Sequence, residues 1–208
     1  MVQYCRTCDA CQRLGKSNLQ NRSLLINLPV NGTTFSKLAI DIVGPLKTCQ
    51  FILTVIDFTS HYPLAYPLKS HTAMDVVKCL VEVFSQYVFP DKLLSDCGTE
   101  FLSQITQSFL VECDIGQLKT SPYHPQSNSC MECFHRTLKS MLKAFGETYP
   151  GDWDNLFPWV MFAYREVPVE GLGYSPFELL FGRNVKGVLQ LVKKSWLRDD
   201  LLDNVKAT

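Results

Sequence analysis

An α/β fold with a mixed, five-stranded sheet is predicted from the order of strand-like and helix-like segments in this sequence. Segments 38–44, 51–57 and 62–67 are rich in apolar, β-branched and aromatic residues and follow one another closely. Such spacing is typical of an antiparallel meander. Further along the chain, helical and strand patterns alternate, which is typical of strands connected through helices. Together the two patterns predict one sheet that combines antiparallel and parallel strands, with helices on its faces.

The alternating part of the pattern supplies two more strands. Residues 72–88 carry apolar side chains at helical spacing, and this region ends before Pro90. A short strand is predicted at 92–95, a second helix at 100–112 and a fifth strand at 116–120. The apolar positions are Met74, Val77, Leu80, Val81, Phe84 and Val88 in the first helix, and Phe101, Ile105, Phe109 and Val111 in the second.

The strongest helical pattern in the chain follows a loop that runs from Ser121 to Asn128. Apolar residues at three- and four-residue steps form one stripe, and Gly146 is the expected end of this helix. An aromatic-rich helix and a short helix at 176–181 follow, and we expect the aromatic residues in the core or at a subunit contact. The stripe consists of Met131, Phe134, Leu138, Met141, Leu142 and Phe145, and the aromatic residues are Trp153, Phe157, Trp159 and Phe162.

Composition and charge indicate a folded, intracellular protein. The chain has 208 residues, of which 46% are hydrophobic, and this is enough for one well-buried core. No apolar stretch is long enough to span a bilayer, and the N-terminus lacks the apolar centre of a signal peptide. Nine cysteines without a small-scaffold spacing predict reduced thiols in the cytosol or nucleus. Because the net charge is +0, any nucleic-acid binding must come from local basic patches.

Shifts in composition divide the chain into four predicted segments. Residues 1–22 are polar and bear cysteines, and residues 23–37 contain Pro, Asn and Gly and are predicted to be a linker. Residues 38–190 form the folded core, and residues 191–208 are a C-terminal extension.

Three carboxylates occupy positions where an acid needs compensation. Asp41 lies within an apolar strand, Asp96 follows another strand, and Glu132 lies beside the apolar stripe of its helix. Taken singly, each acid has an ordinary explanation. Asp41 is then a solvent-facing acid on an edge strand, Asp96 is the cap of a turn or helix, and Glu132 is a solvated charge on a helix. Three acids brought together repel one another, and a divalent cation relieves the repulsion.

The chemistry that suits three such carboxylates is metal-assisted phosphodiester cleavage or transfer. Ligand sets made only of oxygen favour Mg²⁺ or Mn²⁺ over Zn²⁺. Two such ions, about 3.5–4 Å apart, activate a water or a 3′-hydroxyl and stabilise the leaving oxygen. The sequence contains no P-loop, serine-hydrolase elbow or zinc-protease helix motif. Metal-dependent chemistry on nucleic acid is therefore the leading hypothesis.

Segments around these carboxylates resemble the integrase catalytic core of Ty3/gypsy-type retrotransposons. Asp96 and Glu132 are separated by 35 residues, a spacing that is typical of that family, and the resemblance extends over about residues 5–195. The matching segments are Ile40–Leu46, Leu94–Phe101, Ser121–Asn128, Glu132–Lys139, Phe162–Tyr164 and Ser175–Arg183.

The resemblance implies an RNase H-like fold in which Asp41, Asp96 and Glu132 bind two Mg²⁺ or Mn²⁺ ions. It implies 3′-end processing of element DNA and strand transfer into target DNA. It also implies a homo-oligomer that works in the nucleus after import from the cytoplasm, with no membrane partner. The loop before the long helix would lie against DNA near the scissile phosphate, through Tyr123, His124, Gln126 and Asn128.

Basic side chains near the predicted site are candidates for phosphate contacts. They are Lys119, Arg136, Lys139 and Lys143. The alternative is that they are ordinary solvated charges, and only the neighbouring triad favours the DNA-binding interpretation. His135 lies close to the same helix face, and both an approach to DNA and a plain surface position stay open.

The sequence departs from the family pattern at three positions. Ser129 stands where members usually carry Gly, Cys133 where Arg is usual, and Cys97 where a polar residue is usual. Ser129 restricts the backbone of the loop, and Cys133 removes a cation beside Glu132. We therefore hypothesise weakened or lost strand transfer. The rival function is that of a domesticated, catalytically impaired integrase derivative that binds DNA or protein partners.

The cysteines near the N-terminus suggest part of a zinc module. In the family a His pair precedes a Cys pair, and Cys8 and Cys11 match the latter, but no histidine occurs before His61. Tetrahedral zinc needs four ligands, so we expect the chain to begin partway through the module. Zinc binding by Cys8 and Cys11 is then expected only in a longer form. The alternative is that these thiols belong to a frayed terminus.

Overall fold

The predicted fold class is confirmed by a computed structural model, which describes residues 32–45, 51–119, 129–148 and 153–187. Five strands form a mixed sheet in the order β3-β2-β1-β4-β5. The strands are β1 (Lys37–Val43), β2 (Phe51–Asp57), β3 (Pro63–Leu68), β4 (Lys92–Ser95) and β5 (Gly116–Lys119).

The sheet joins an antiparallel half to a parallel half, as the sequence predicts. Strands β1, β2 and β3 form the antiparallel meander. Strand β4 pairs parallel with β1, and β5 pairs parallel with β4. Strand β1 is therefore central, and its neighbours run in opposite directions.

Six helices are described beside the sheet. They are α1 (Ala73–Gln86), α2 (Thr99–Leu102), α3 (Gln104–Glu112), α4 (Ser129–Thr148), α5 (Trp153–Glu166) and α6 (Pro176–Phe181). None of the described helices is long and apolar enough to cross a membrane.

The single helix predicted at 100–112 is wrong, because the segment is divided at Ser103. The backbone of Ser103 is extended, and its hydroxyl accepts a hydrogen bond from the backbone N–H of Thr106, which caps α3. The predicted end of α4 at Gly146 is also wrong, since the helix continues to Thr148. A glycine inside a helix costs only about 1 kcal/mol, which an otherwise well-packed helix tolerates.

Two apolar cores cover the two faces of the sheet. One core lies under α1, α2 and α3 and includes Leu38 and Leu93 of the central strands. The other lies under α4 and α5 and includes Ala39 and Leu94. Because side chains alternate across a strand, neighbours in sequence enter opposite cores. Strand β1 is thus covered on both faces, as its sequence predicts.

The first part of the apolar stripe predicted for α4 is confirmed, and Met141 and Leu142 are partly buried against the same core. The side chain of Phe145 lies outside the described part of the chain. Met131, Phe134 and Leu138 are almost fully buried against the sheet. In α5, Phe157 is buried, whereas Trp159 remains 59% exposed.

The apolar faces predicted for α1 and α3 are partly wrong. Met74 and Val81 are exposed, and α1 instead buries Val76 and Val83 together with the predicted Leu80 and Phe84. In α3, Ile105 and Val111 are exposed, while Thr106 and Leu110 are buried. Apolar residues occur on more than one side of each helix, so spacing alone did not identify the side that faces the sheet.

Candidate active site

Asp41 and Asp96 lie on neighbouring parallel strands and face the same side of the sheet. Ala39 of β1 is in register with Leu94 of β4. Two residues further along each strand are Asp41 and Asp96, and the two-residue period directs both toward the α4 face. Asp96 follows the last residue of β4 directly. The carboxyl ends of parallel strands are a common place for ligand binding.

The carboxyl group of Asp41 is held in a costly environment. Burial, together with the smaller effects of the nearby carboxylates of Asp96 and Glu100, raises the pKa of Asp41 to about 6. The backbone N–H of Ile42 donates to Oδ1 at 2.7 Å, and together with the ammonium group of Lys139 it opposes the shift. The shift shows that donors and cations within the chain only partly compensate this acid.

Asp96 is fixed by the turn that leads into α2. The backbone N–H of Gly98 donates to Asp96 Oδ1 at 2.9 Å. A Cβ atom at Gly98 would lie 2.9 Å from Glu100 Oε1 and 3.1 Å from Asp96 Oδ1. The absence of a side chain at Gly98 therefore lets the carboxyl groups of Asp96 and Glu100 approach the same point. Together with Asp41 they form an acidic site, by which we mean Asp41, Asp96 and Glu100.

His135 connects α4 to Asp41 and to β2. Its Nδ1 lies 3.5 Å from Asp41 Oδ2, and its Nε2 lies 2.8 Å from Thr54 Oγ1. The Thr54 hydroxyl donates to the backbone carbonyl of Asp41 at 2.8 Å, across the register pair that joins β1 to β2. Burial, aided by Lys139, lowers the pKa of His135 to about 4. The imidazole of His135 therefore lies between the Asp41 carboxyl group and the Thr54 hydroxyl, in a place where burial disfavours its protonation.

Glu132 lies in the first turn of α4 and is exposed to solvent. Among the described residues, no three acidic, histidine or cysteine side chains are close enough to share a metal ion. Asp41, Asp96 and Glu132 are thus not gathered into one metal cluster. The assignment of Glu132 as the third ligand stays a prediction.

The predicted basic contacts occupy different parts of the site. Lys139 influences Asp41 directly, and Lys143 is exposed one turn further along α4. Lys119 is exposed at the end of β5, opposite Ser95 in the register with β4. Arg136 donates from Nη2 to Cys133 Sγ at 3.5 Å. All four therefore lie on the two elements, β5 and α4, that flank the carboxyl end of β4.

The remaining predicted site residues lie outside the described part of the chain. They are the loop residues Tyr123, His124, Gln126 and Asn128 and the cysteines Cys8 and Cys11. Their roles stay predictions.

Sequence reasoning missed Glu100 and Thr54, and it left His135 undecided. Thr54 had a usable signal, because it is a hydroxyl residue within the otherwise apolar run of β2. Glu100 resembled an ordinary first-turn acid of a helix. The contact of His135 depends on how α4 lies across the sheet, and the sequence of α4 alone does not contain that information.

A mixed sheet in this order, covered by helices on both faces and carrying two aspartates on adjacent parallel strands, defines an RNase H-like protein. The comparisons with known proteins identify the family. Residues 34–125 match the family described as Integrase core domain. The chain therefore contains an integrase core of the type that occurs in retroviruses and LTR retrotransposons.

Relatives of this chain are segments of viral and transposon polyproteins. It is 30% identical to the Gag-Pol polyprotein of Walleye dermal sarcoma virus over 206 residues, which is 97% of this chain and 11% of the polyprotein. It is 38% identical to the Gag-Pol polyprotein of Feline leukemia virus over 135 residues, or 64% of this chain and 8% of the polyprotein. It is 27% identical to the Retrovirus-related Pol polyprotein from transposon 412 of Drosophila melanogaster over 154 residues, which is 72% of this chain and 12% of the polyprotein. The chain thus spans about a tenth of these relatives.

Proposed function

We propose that this chain catalyses metal-dependent 3′-end processing of DNA and transfer of the processed strand into target DNA. The observation that carries the proposal is the convergence of Asp41 and Asp96 on one face of adjacent parallel strands, where burial and the neighbouring acids raise the pKa of Asp41 to about 6. Carboxyl groups whose pKa is shifted by burial and by neighbouring charges are frequent at functional sites.

The carboxylate chemistry of the donors suits a hard divalent cation, whereas no three of the described side chains are spaced to share one. Asp41 and Asp96 offer carboxylate oxygens, with Glu100 next to Asp96 and Glu132 in the first turn of α4 as further oxygen donors. The repulsion that raises the pKa of Asp41 is the kind that a cation removes. When bound, Mg²⁺ or Mn²⁺ supplies charge neutralisation at the phosphorus and an activated oxygen nucleophile.

The protein's own contribution is to position the carboxylates and the DNA. Gly98 and Ile42 hold Asp96 and Asp41 through their backbone N–H groups. His135 lies beside the Asp41 carboxyl group, and the Thr54 hydroxyl donates to the Asp41 backbone carbonyl. Lys139, Lys143 and Lys119 supply cations around the acidic site for the phosphate backbone, even though the chain as a whole carries no net charge.

Partners and location belong to the same proposal. The DNA would comprise the element ends and the target, and the working form would be a homo-oligomer in the nucleus. Tyr123, His124, Gln126 and Asn128 would contact DNA beside the acidic site, and a longer form with a His pair would hold zinc through Cys8 and Cys11.

The test is a strand-transfer assay with purified protein, a model element end and a target duplex, in Mg²⁺ or Mn²⁺. Asp96→Asn removes one charge at the carboxyl end of β4, and Asp91→Asn removes an exposed charge just before the same strand. We expect product with the wild type and with Asp91→Asn, and at least a 100-fold loss with Asp96→Asn. Equal activity of Asp96→Asn and wild type would contradict the proposal.

One observation supports a second candidate, a non-catalytic integrase derivative that binds DNA or protein partners. Glu132 is exposed and does not join Asp41 and Asp96 in a group able to hold a metal ion. If wild-type protein binds the model DNA but yields no product in either metal, this second function is the correct one.

A further inference from the structure

Two cysteines flank Glu132 in the first turn of α4. Cys130 and Cys133 are three positions apart, which places both side chains on one side of the helix. Both thiols are free, with Cys130 partly buried and Cys133 exposed.

Each thiol has a distinct polar neighbour. Cys130 Sγ lies 3.2 Å from Nδ1 of His61, a residue of the turn between β2 and β3. Cys133 Sγ accepts a hydrogen bond from the Arg136 guanidinium at 3.5 Å. An exposed sulfur next to a cation is the usual environment of a reactive cysteine, and a buried sulfur next to an imidazole has a base at hand.

We propose that Cys130 and Cys133 are a redox modification site, at which a hydroperoxide converts the pair into an intramolecular disulfide that spans Glu132. In the first step Cys133 sulfur attacks the peroxide, the O–O bond breaks, and Cys133 becomes a sulfenic acid with release of water or an alcohol. In the second step Cys130 sulfur attacks Cys133 sulfur, the S–O bond breaks, and a second water leaves. The two thiols together lose two electrons, which the peroxide accepts.

His61 is the group that receives the proton in the second step. Cys130 Sγ lies 3.2 Å from His61 Nδ1, so the imidazole is within reach of the proton that must leave this sulfur. The proton passes from Cys130 to His61 Nδ1 and then to the departing hydroxide.

Closing the disulfide must reshape the first turn of α4. Side chains three residues apart in a helix have Cβ atoms about 5–6 Å apart, whereas a disulfide requires about 3.5–4.5 Å. The first turn yields at low cost, because its N–H groups have no partners within the helix. Glu132 lies between the two sulfurs in sequence and moves with the turn, so oxidation changes the position of a predicted catalytic residue.

Peptide mapping of the full chain tests the chemistry without any activity measurement. The tryptic peptide 120–136 contains Cys130 and Cys133 and no other cysteine. After treatment with hydrogen peroxide and alkylation, we expect this peptide to lose two hydrogens and to resist alkylation until dithiothreitol is added. Two alkylated cysteines after peroxide, a sulfonic acid at Cys133, or a disulfide to a cysteine in another peptide would overturn the proposal.

Three variants separate the roles of the residues. Cys133→Ser should abolish the disulfide, and Cys113→Ser, which removes a thiol at the end of α3, should leave it intact. His61→Asn should slow disulfide closure about tenfold or more, so that a dimedone adduct of Cys133 accumulates. An unchanged rate of closure in His61→Asn would remove His61 from the proposal.

The consequence for strand transfer rests on the proposed function. Peroxide should lower the activity of the wild type at least tenfold, dithiothreitol should restore it, and Cys133→Ser should keep its activity in peroxide. If the reduced wild type is inactive, the proposed function fails while the disulfide result stands. If the disulfide forms and activity is unchanged, control of Glu132 by the disulfide is refuted.

Discussion

Asp41 and Asp57 are aspartates on neighbouring strands, and their surroundings differ in kind. Asp57 is fully buried at the end of β2 and accepts hydrogen bonds from the backbone N–H groups of Phe35 and Ser60 and from the Ser60 hydroxyl. Among the described residues, Asp41 accepts from one backbone N–H, that of Ile42, and lies near the acids Asp96 and Glu100. The described part of the chain therefore gives Asp57 three hydrogen-bond donors and surrounds Asp41 with acids that raise its pKa.

The contrast separates a structural acid from a functional one. Asp57 joins the chain before β1 to the turn after β2, so its hydrogen bonds stabilise the meander. The raised pKa means that ionised Asp41 lowers the stability of the folded protein, and we propose that its role is to bind a cation. The largest expected effect of any single change in the following set therefore falls on Asp57.

Replacing Asp57 with Ala should destabilise the protein by about 3–4 kcal/mol, because three donors lose their acceptor in a fully buried site. Urea unfolding followed by circular dichroism measures this loss. The exposed Asp91 is the control, and Asp91→Ala should change the free energy of unfolding by less than about 0.5 kcal/mol. A comparable, small effect at both positions would remove the distinction between Asp57 and Asp41.

Replacing Asp41 with Asn should change the free energy of unfolding in the opposite direction, toward greater stability. The pKa of Asp41 rises from 3.8 in the unfolded chain to about 6 in the folded protein. The ionised form is therefore disfavoured by folding, and this group's contribution to stability is present below pH 3.8 and is lost as the pH rises to 6. At pH 7 without divalent ions, Asp41→Asn should be more stable than wild type by about 1–2 kcal/mol, after discounting for partial exposure.

The measurement for Asp41 is urea unfolding of both proteins from pH 4 to 7 with a chelator present. The difference between wild type and Asp41→Asn should grow across this range and level off above pH 6. A variant that is less stable than wild type at pH 7 would show that the fold depends on the Asp41 charge.

Removing the Thr54 hydroxyl tests whether this side chain holds Asp41 in place, and the expected loss of stability is smaller than for Asp57→Ala. Thr54→Val keeps the shape of the residue and deletes the hydrogen bonds to the Asp41 carbonyl and to His135, so we expect a loss of about 1 kcal/mol. Thr59→Val is the control, since the hydroxyl of Thr59 makes an exposed contact at 3.3 Å. Equal unfolding free energies for the two variants would argue against an ordered Asp41–Thr54–His135 network.

The smallest effect on stability is expected at Lys139, an exposed residue whose role is proposed to be in DNA binding. Lys139→Gln should leave the unfolding free energy within about 0.5 kcal/mol. It should lower DNA affinity and reduce the slope of log affinity against log salt by about 1. Lys78→Gln, on the helix that covers the opposite face of the sheet, is the control and should leave that slope unchanged. Identical slopes for the two variants would place the DNA elsewhere.

The sequence predicted most of the architecture, and its failures have specific causes. The meander, the short strand before Asp96 and the buried stripe of α4 follow from local periodicity and from Pro and Gly positions. The faces of α1 and α3 were predicted only in part, because each helix carries apolar residues on several sides. Which side is buried depends on packing against the sheet, which is a long-range property.

The site was predicted in a similarly uneven way. Asp41 and Asp96 were singled out because an acid in or after an apolar strand is costly, and each lies two residues beyond the register pair Ala39–Leu94. Their role as site residues stays a prediction. Glu100 and Thr54 were missed because each has an ordinary local explanation as a first-turn acid and a strand residue. Asp57 was not singled out either, although it ends an apolar strand, since its three donors come from positions that only the folded chain brings near.

Calorimetric titration of the chelator-treated full chain with Mn²⁺ tests the central claim most directly. We predict that wild type binds the ion, that Asp41→Asn binds at least tenfold more weakly, and that Asp91→Asn binds as the wild type does. Binding of Mn²⁺ with equal affinity by wild type and Asp41→Asn, or no binding by any of the three proteins, would contradict the assignment of Asp41 and Asp96 to a metal-dependent centre.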